Sequence, residues 1–292
     1  MALGDLAGVL IVALLIVLAL SVHPSAIFKP DGGDYSDSGK TGKTTSEDKN
    51  QQTDKEPSPS LPSSVIAPKP ASQPTPGTVL NLANWKLTLP VDTAHAGIPD
   101  EISQPELATF ILSPYFQLNP ARSGVVFRAN VDGATTIGSQ YPRSELREMT
   151  NGGKQPASWS STSGTHTMTI RQVITHTPSV KPDVVAGQIH DASDDVVMVR
   201  LKNRHLFIEA DGKDIGALDD NYSLGGVFTV QLVATDGHIK ALYNGIQKVD
   251  YLKSGSGYYF KAGCYTQSNT SKGDSSGEYG EVVIYNLQVS HS

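Results

Sequence analysis

Three short stretches, "RSELRE" at 143–148, "QIH" at 188–190 and "YFKAGCYTQ" at 259–267, carry side chains suited to chemistry on an anion. Side chains of a β-strand alternate with a period of two, so residues two apart share a face. In the first stretch this aligns Arg143, Glu145 and Arg147 and turns Leu146 away. In the second it pairs Gln188 with His190, with Ile189 behind. In the third it aligns Lys261, Gly263, Tyr265 and Gln267, with Phe260, Ala262 and Cys264 behind. Guanidinium, amide, imidazole and phenol are hydrogen-bond donors and proton carriers, the groups that hold a charged ligand and move a proton on it. Ionised groups are costly to bury unpaired, so this front must line an open groove. Glu145, between two arginines, reads as the residue that orients them. Taken singly, each pattern also fits the wet side of a half-buried sheet. Arg, Gln, His and Tyr in place of Ser and Thr favour a site.

The elements that must position these residues are strands. After Gly77 the chain runs in short segments rich in Val, Ile, Thr, Tyr and Phe, broken by Gly, Asn and Asp. "THTMTIRQVIT" alternates over 165–175. "VVMVRL" and "HLFIEA" flank the loop "KNR". "FTVQLVA" joins "HIKALY" through "TDG", and Asn244-Gly245 after it is a strong hairpin signal. "EVVIYNLQVS" is the last strand, and one turn of helix fits near "SQPELATF". Many strands without intervening helices predict an all-β fold, an antiparallel β-sandwich of jelly-roll type, with the polar faces lining a concave substrate groove.

Ahead of this domain, Leu6 to Val22 is free of charge. The run is near the lower limit for a membrane span and the upper range of a signal peptide's apolar core. Residues 1–26 therefore read as a signal peptide or an uncleaved membrane anchor, and the protein as secreted or extracellular, with or without membrane attachment. Residues 27–78, rich in Ser, Pro and Thr and poor in aromatics, read as a disordered linker that cannot offset its chain entropy by burial. The folded domain is expected over 79–292.

The chain has 23 Lys and Arg against 29 Asp and Glu, a net charge of −6, which argues against a nucleic-acid partner. An acidic ligand is still accessible to such a protein if its basic residues gather in one cleft. A single cysteine leaves no intrachain disulfide, so burial must hold the core. No His, Cys or Asp cluster has metal-ligand spacing, and neither metal nor cofactor is required. A monomer is expected.

The three stretches, in this order, resemble the signature blocks of the alginate lyases of polysaccharide lyase family seven, whose patterns are close to R-[ST]-E-L-R, Q-[IV]-H and Y-F-K-A-G-x-Y-x-Q. The resemblance spans about residues 79 to 292 and includes "NWKLTLP" at 84–90. Ser144 stands where Thr is common, and Cys264 fills a variable position behind the groove. The resemblance implies a β-jelly roll whose concave sheet binds alginate, a 1,4-linked polyuronate, and cleaves it by β-elimination. It implies four catalytic residues. Arg143 and Gln188 would neutralise the substrate carboxylate; on guluronate His190 would take the C5 proton and Tyr265 would protonate the leaving O4, whereas on mannuronate Tyr265 could serve as both base and acid, with His190 polarising the carboxylate. Glu145, Arg147, Lys261 and Gln267 would line substrate subsites. Ile189, as opposed to Val, goes in this family with preference for guluronate-containing blocks. The remaining rivals are a lyase for another polyuronate such as glucuronan, with the same elimination chemistry, and a non-catalytic carbohydrate-binding module. The module would be expected to stack aromatics on sugars, yet Trp85 and Trp159 both fall outside the three blocks.

Overall fold

A computed structural model describes residues 73–292. The expected signal or anchor segment at 1–26, and the linker up to residue 72, lie outside the described residues. Residues just ahead of 79 are packed as well. Pro76 is buried at the head of a 3₁₀ turn, Pro76–Thr78, and the Thr75 hydroxyl donates to the Ala108 carbonyl.

In chain order the strands are β1 (Trp85–Thr88), β2 (Glu101–Ile102), β3 (Phe116–Leu118), β4 (Val125–Asn130), β5 (Arg143–Thr150), β6 (Gln155–Pro156), β7 (Trp159–Ser160) and β8 (Thr165–His176). They continue with β9 (Asp183–His190), β10 (Asp195–Lys202), β11 (His205–Ala210), β12 (Lys213–Asp219), β13 (Val227–Thr235), β14 (His238–Tyr243), β15 (Ile246–Leu252), β16 (Ser256–Thr266) and β17 (Tyr279–His291). Among the described residues there is no α-helix. The turn expected near 103–110 is a 3₁₀ turn at Glu106–Ala108.

These strands form two antiparallel sheets. One has the order β12-β11-β10-β9-β16-β5-β1-β2, with β6 and β7 attached to β5 and β16. The other has the order β15-β14-β13-β8-β17-β4-β3. This is the expected all-β sandwich of jelly-roll type. The hairpins form where turn chemistry allows. Asn244-Gly245 and Asp236-Gly237 all take positive φ, which suits the tight turns joining twisted strands.

Between the sheets lies a core that includes Phe127, Leu146, Ile170, Val230, Phe260 and Ile284, each essentially closed to water. Burial of one such side chain contributes about 1.5–3 kcal/mol, so the sandwich holds without cross-links. Phe116 and Phe127 meet edge to face at 5.2 Å.

Several bulges curve the site sheet, two of them beside the cleft. Between the pairs Lys261–Gln188 and Tyr265–Val185, β16 has one residue more than β9, and β9 in turn has one more than β10 between Met198 and Arg200. Extra residues of this kind bend a strand and re-aim its side chains. Gly263 sits in the β16 bulge at φ +144°, where a Cβ would lie 2.5 Å from the Ser144 carbonyl oxygen. Only glycine allows β5 and β16 to approach here.

Candidate active site

Strand β16 runs between β5 and β9, which brings the three sequence blocks side by side. Lys261 faces Arg147 on β5 and Gln188 on β9. Tyr265 faces Arg143, and Tyr259 faces His190. Strand alternation therefore places Arg143, Arg147, Gln188, His190, Lys261 and Tyr265 on one surface, and all six line one cleft of about 380 Å³. Lys86 and Thr88 of β1 extend its floor, and the segments around Thr136–Ser139 and Ala192–Asp195 form its walls.

Two residues expected to contact substrate do not line this cleft. Glu145 is 1 % exposed and lies beneath the surface, with Gln188, Arg143 and Lys261 above it. Gln267 lies just past the end of β16, is 5 % exposed, and uses its backbone to bond Asp183 and Lys181. Alternation gives the face of a side chain but not its depth, and it ceases to apply where the strand ends.

Glu145 is the hub of the site. Its Oε1 accepts the Gln188 amide, while its Oε2 lies 2.6 Å from Lys261 Nζ and 3.2 Å from an Arg143 nitrogen. Burial alone would raise its pKa, but the charges of Lys261 and Arg143 outweigh burial and hold it below the usual carboxylate range. Burial pushes the Lys261 ammonium down to about 8, with Arg143 and Arg147 adding to the shift and Glu145 opposing it. One carboxylate thus serves two immediate cations, with Arg147 a third nearby, and the excess positive charge faces the cleft.

His190 is poised as a base. Its Nδ1 lies 2.6 Å from the Asp191 carbonyl oxygen. A carbonyl oxygen only accepts, so Nδ1 carries the proton and Nε2 keeps a free lone pair. Burial, reinforced by Lys261 and Arg143, lowers the pKa of the ring despite the bond to Asp191, so the imidazole is neutral at neutral pH. Tyr265 enters from further along β16. The Arg143 guanidinium lies 3.8 Å above its ring, and its hydroxyl is 3.0 Å from Ser139 Oγ.

Tyr259 is the residue that sequence reasoning missed. Its hydroxyl is 3.1 Å from His190 Nδ1, its ring stacks on the imidazole at 5.4 Å, and the Arg147 guanidinium lies 4.0 Å over the Tyr259 ring. The signal was available, because Tyr259 has the same parity as Lys261 and Tyr265. Cys264 lies fully buried behind the sheet, with its thiol pushed up to about 12 by burial, and takes no part in the cleft.

A larger cleft of about 740 Å³ lies against β8, β13 and β17, lined by residues such as Thr167, Thr169, Gln231, Asn286 and Gln288. It contains no ionisable side chain and offers no acid or base for catalysis.

A jelly-roll sandwich with a cationic cleft, a neutral imidazole and a phenol on its curved sheet is the make-up of a lyase for anionic polysaccharides. Comparison with known proteins narrows this class. The family model described as "Alginate lyase" matches residues 80–291, and the chain belongs to this family, the alginate lyases of polysaccharide lyase family seven. An alginate lyase of Klebsiella pneumoniae is 27 % identical, over 77 % of this chain and 94 % of its own. Among solved structures, the alginate lyase AlgAT5 from polysaccharide lyase family 7 is 58 % identical, covers 75 % of this chain and 100 % of its own, and has a TM-score of 0.73. The alginate lyase from Corynebacterium sp. is 49 % identical over 74 % of this chain and 98 % of its own, with a TM-score of 0.72. The protein is accordingly a lyase that depolymerises alginate.

Proposed function

We propose that the enzyme cleaves guluronate-containing blocks by β-elimination, with His190 as base and Tyr265 as acid. The C5 proton of a uronate is barely acidic while the adjacent carboxylate is ionised, because its removal adds a second negative charge to the same group. Arg143 and the Gln188 amide neutralise that developing charge, in the manner of an oxyanion hole. His190 Nε2 takes the C5 proton. The electron pair left on C5 forms the C4–C5 double bond as the C4–O4 bond breaks, and Tyr265 protonates O4. Arg147 and Lys261 hold carboxylates of neighbouring sugars.

The observation that carries this reading is the separation of the two proton carriers along one row. His190 stands opposite Tyr259, whereas Tyr265 stands opposite Val185 at the far end of the same face. In guluronate H5 and O4 lie on opposite faces of the ring, so a base and an acid arriving from two ends suit it. Mannuronate, with both on one face, would be served by a single group. Ile189 supports the same preference through the family resemblance. The uncharged run from Leu6 to Val22 supports export of the enzyme to where such a polymer is found.

The test is the ultraviolet absorbance of unsaturated product on polyguluronate, polymannuronate and glucuronan. The expected order is polyguluronate first, and His190→Ala and Tyr265→Phe should each lower turnover by about 10²-fold or more while polymer binding persists. Full turnover in either variant would remove that residue from the mechanism. A faster rate on polymannuronate would overturn the block preference.

A further inference from the structure

The cleft that draws in a polyanion is not cationic throughout. On its β10 side the wall is the turn joining β9 to β10, where Asp194 and Asp195 line the same cleft as Arg143, Arg147 and Lys261. This turn is held by its own hydrogen bonds. Asp191 Oδ1 accepts the Ser193 and Asp194 N–H groups at 2.7 and 2.9 Å, and Asp194 Oδ1 accepts the Asp195 N–H at 2.9 Å. Asp195 is the register partner of His190, so its carboxylate begins one strand away from the base.

No cation within salt-bridge distance neutralises either group among the described residues, although two acids near them, Glu209 and Asp211, are paired. Glu209 is held by Arg200, and Asp211 is 3.0 Å from Lys253. Asp195 shows how concentrated the negative charge is. Burial first, then Asp194 and Glu209, push its carboxyl up to about 6. The groups that face it are Asp194 on its own turn, His190 on β9 and Glu209 on β11, and at neutral pH it is ionised.

A polyuronate carries a carboxylate on every sugar, and like charges brought together in a partly desolvated cleft repel far more than they do in bulk water. We propose that Asp194 and Asp195 are specificity determinants that close the groove electrostatically on the β10 side, so that anionic sugars are accepted as far as His190 and rejected beyond it. The polymer is then gripped asymmetrically, with its bound sugars accumulating toward Arg147 on β5, while Lys86 on β1 is already paired with Glu101 of the same cleft. The inference rests on the polyuronate lyase reading above. Repulsion of this kind acts on which chain positions bind, and so on product length, more than on the chemical step.

The test compares wild type with Asp194→Asn and with the Asp194→Asn/Asp195→Asn double variant. Asparagine keeps the acceptor oxygen that holds the turn, and exposed Asp194 alone provides a readout should the double variant melt early. Two quantities are read at neutral pH and low salt: kcat/KM on polyguluronate relative to that on a guluronate trisaccharide, and the limit product sizes by mass spectrometry. The double variant should raise the polymer-to-trisaccharide ratio by about threefold or more and lengthen the products, with a smaller change in the same direction for the single variant. At about 1 M salt, where the screening length falls to about 3 Å, the difference should shrink. An unchanged ratio and product pattern in folded variants of an active enzyme would overturn the inference alone. A wild type that forms no unsaturated product from any polyuronate would overturn the reading beneath it as well.

Discussion

The ammonium of Lys261 lies 2.6 Å from the Glu145 carboxylate, with both side chains nearly closed to water. This pair, with Arg143 on the same oxygen and Gln188 on the other, makes a buried glutamate the support of the catalytic face. Its role is to set the charge and the orientation of groups that touch substrate while remaining out of the substrate's reach.

Replacement of that glutamate should therefore be severe. Glu145→Gln leaves two buried cations without their counter-charge, and breaking a buried ionic group on one side typically costs about 3–5 kcal/mol. Thermal melting should drop accordingly, and kcat/KM on alginate should fall with it because Arg143, Lys261 and Gln188 lose their common anchor. A variant that melts and turns over like wild type would show that the carboxylate's charge is dispensable.

Tyr259→Phe separates the hydroxyl from the ring. The ring should still stack on His190 and under Arg147, so KM should change little. Loss of the oxygen beside Nδ1 removes an acceptor for the imidazolium that forms during the reaction, and kcat should fall by up to about tenfold. The acid limb of the pH profile should move to lower pH, since the imidazolium Nδ1–H bonds that oxygen more strongly than the neutral ring does and so loses more. No movement of that limb would mean the hydroxyl does not act on His190.

The wild-type pH profile follows from two shifts. The pKa of His190 is lowered, so its neutral, active form persists below the ordinary histidine range, and kcat/KM should decline only at pH values under about 6.5. Lys261 loses its charge near pH 8, so KM for the polymer should rise as pH climbs through that value. Lys261→Arg, which does not titrate there, should flatten the alkaline limb. Steady-state kinetics across the range checks both ends.

Gly263→Ala should destabilise the sheet. The new Cβ would stand 2.5 Å from the Ser144 oxygen and 2.8 Å from the Glu145 Cα, at a φ of +144° that side chains rarely adopt. The local strain alone is about 1–3 kcal/mol, and relief of the clash requires β5 and β16 to separate. Differential scanning calorimetry should show the loss, and a wild-type melting temperature would mean that the two strands yield without cost.

Much of the site was legible because alternation along a strand is a local property of the backbone. It placed Arg143, Gln188, His190, Lys261 and Tyr265 on one face, with Phe260, Ala262 and Cys264 behind, and the structure has them so. Hairpins at Asp236-Gly237 and Asn244-Gly245 were legible for the same reason, since the turn is set by the φ its own residues allow.

Other features depend on what lies across the sheet. That β16 runs between β5 and β9, that Glu145 sinks beneath its neighbours while Arg147 stays at the surface, and that Gln267 falls beyond the strand end are consequences of pairing between segments far apart in the chain. The proton on His190 Nδ1, and the lack of a cation beside Asp194 and Asp195 among the described residues, are decided in the same way, by neighbours. By itself the sequence determined which side chains share a face, because that needs only the pleat of one strand. Depth, protonation and charge balance waited on the tertiary structure, because they are properties of the surroundings that several strands create together.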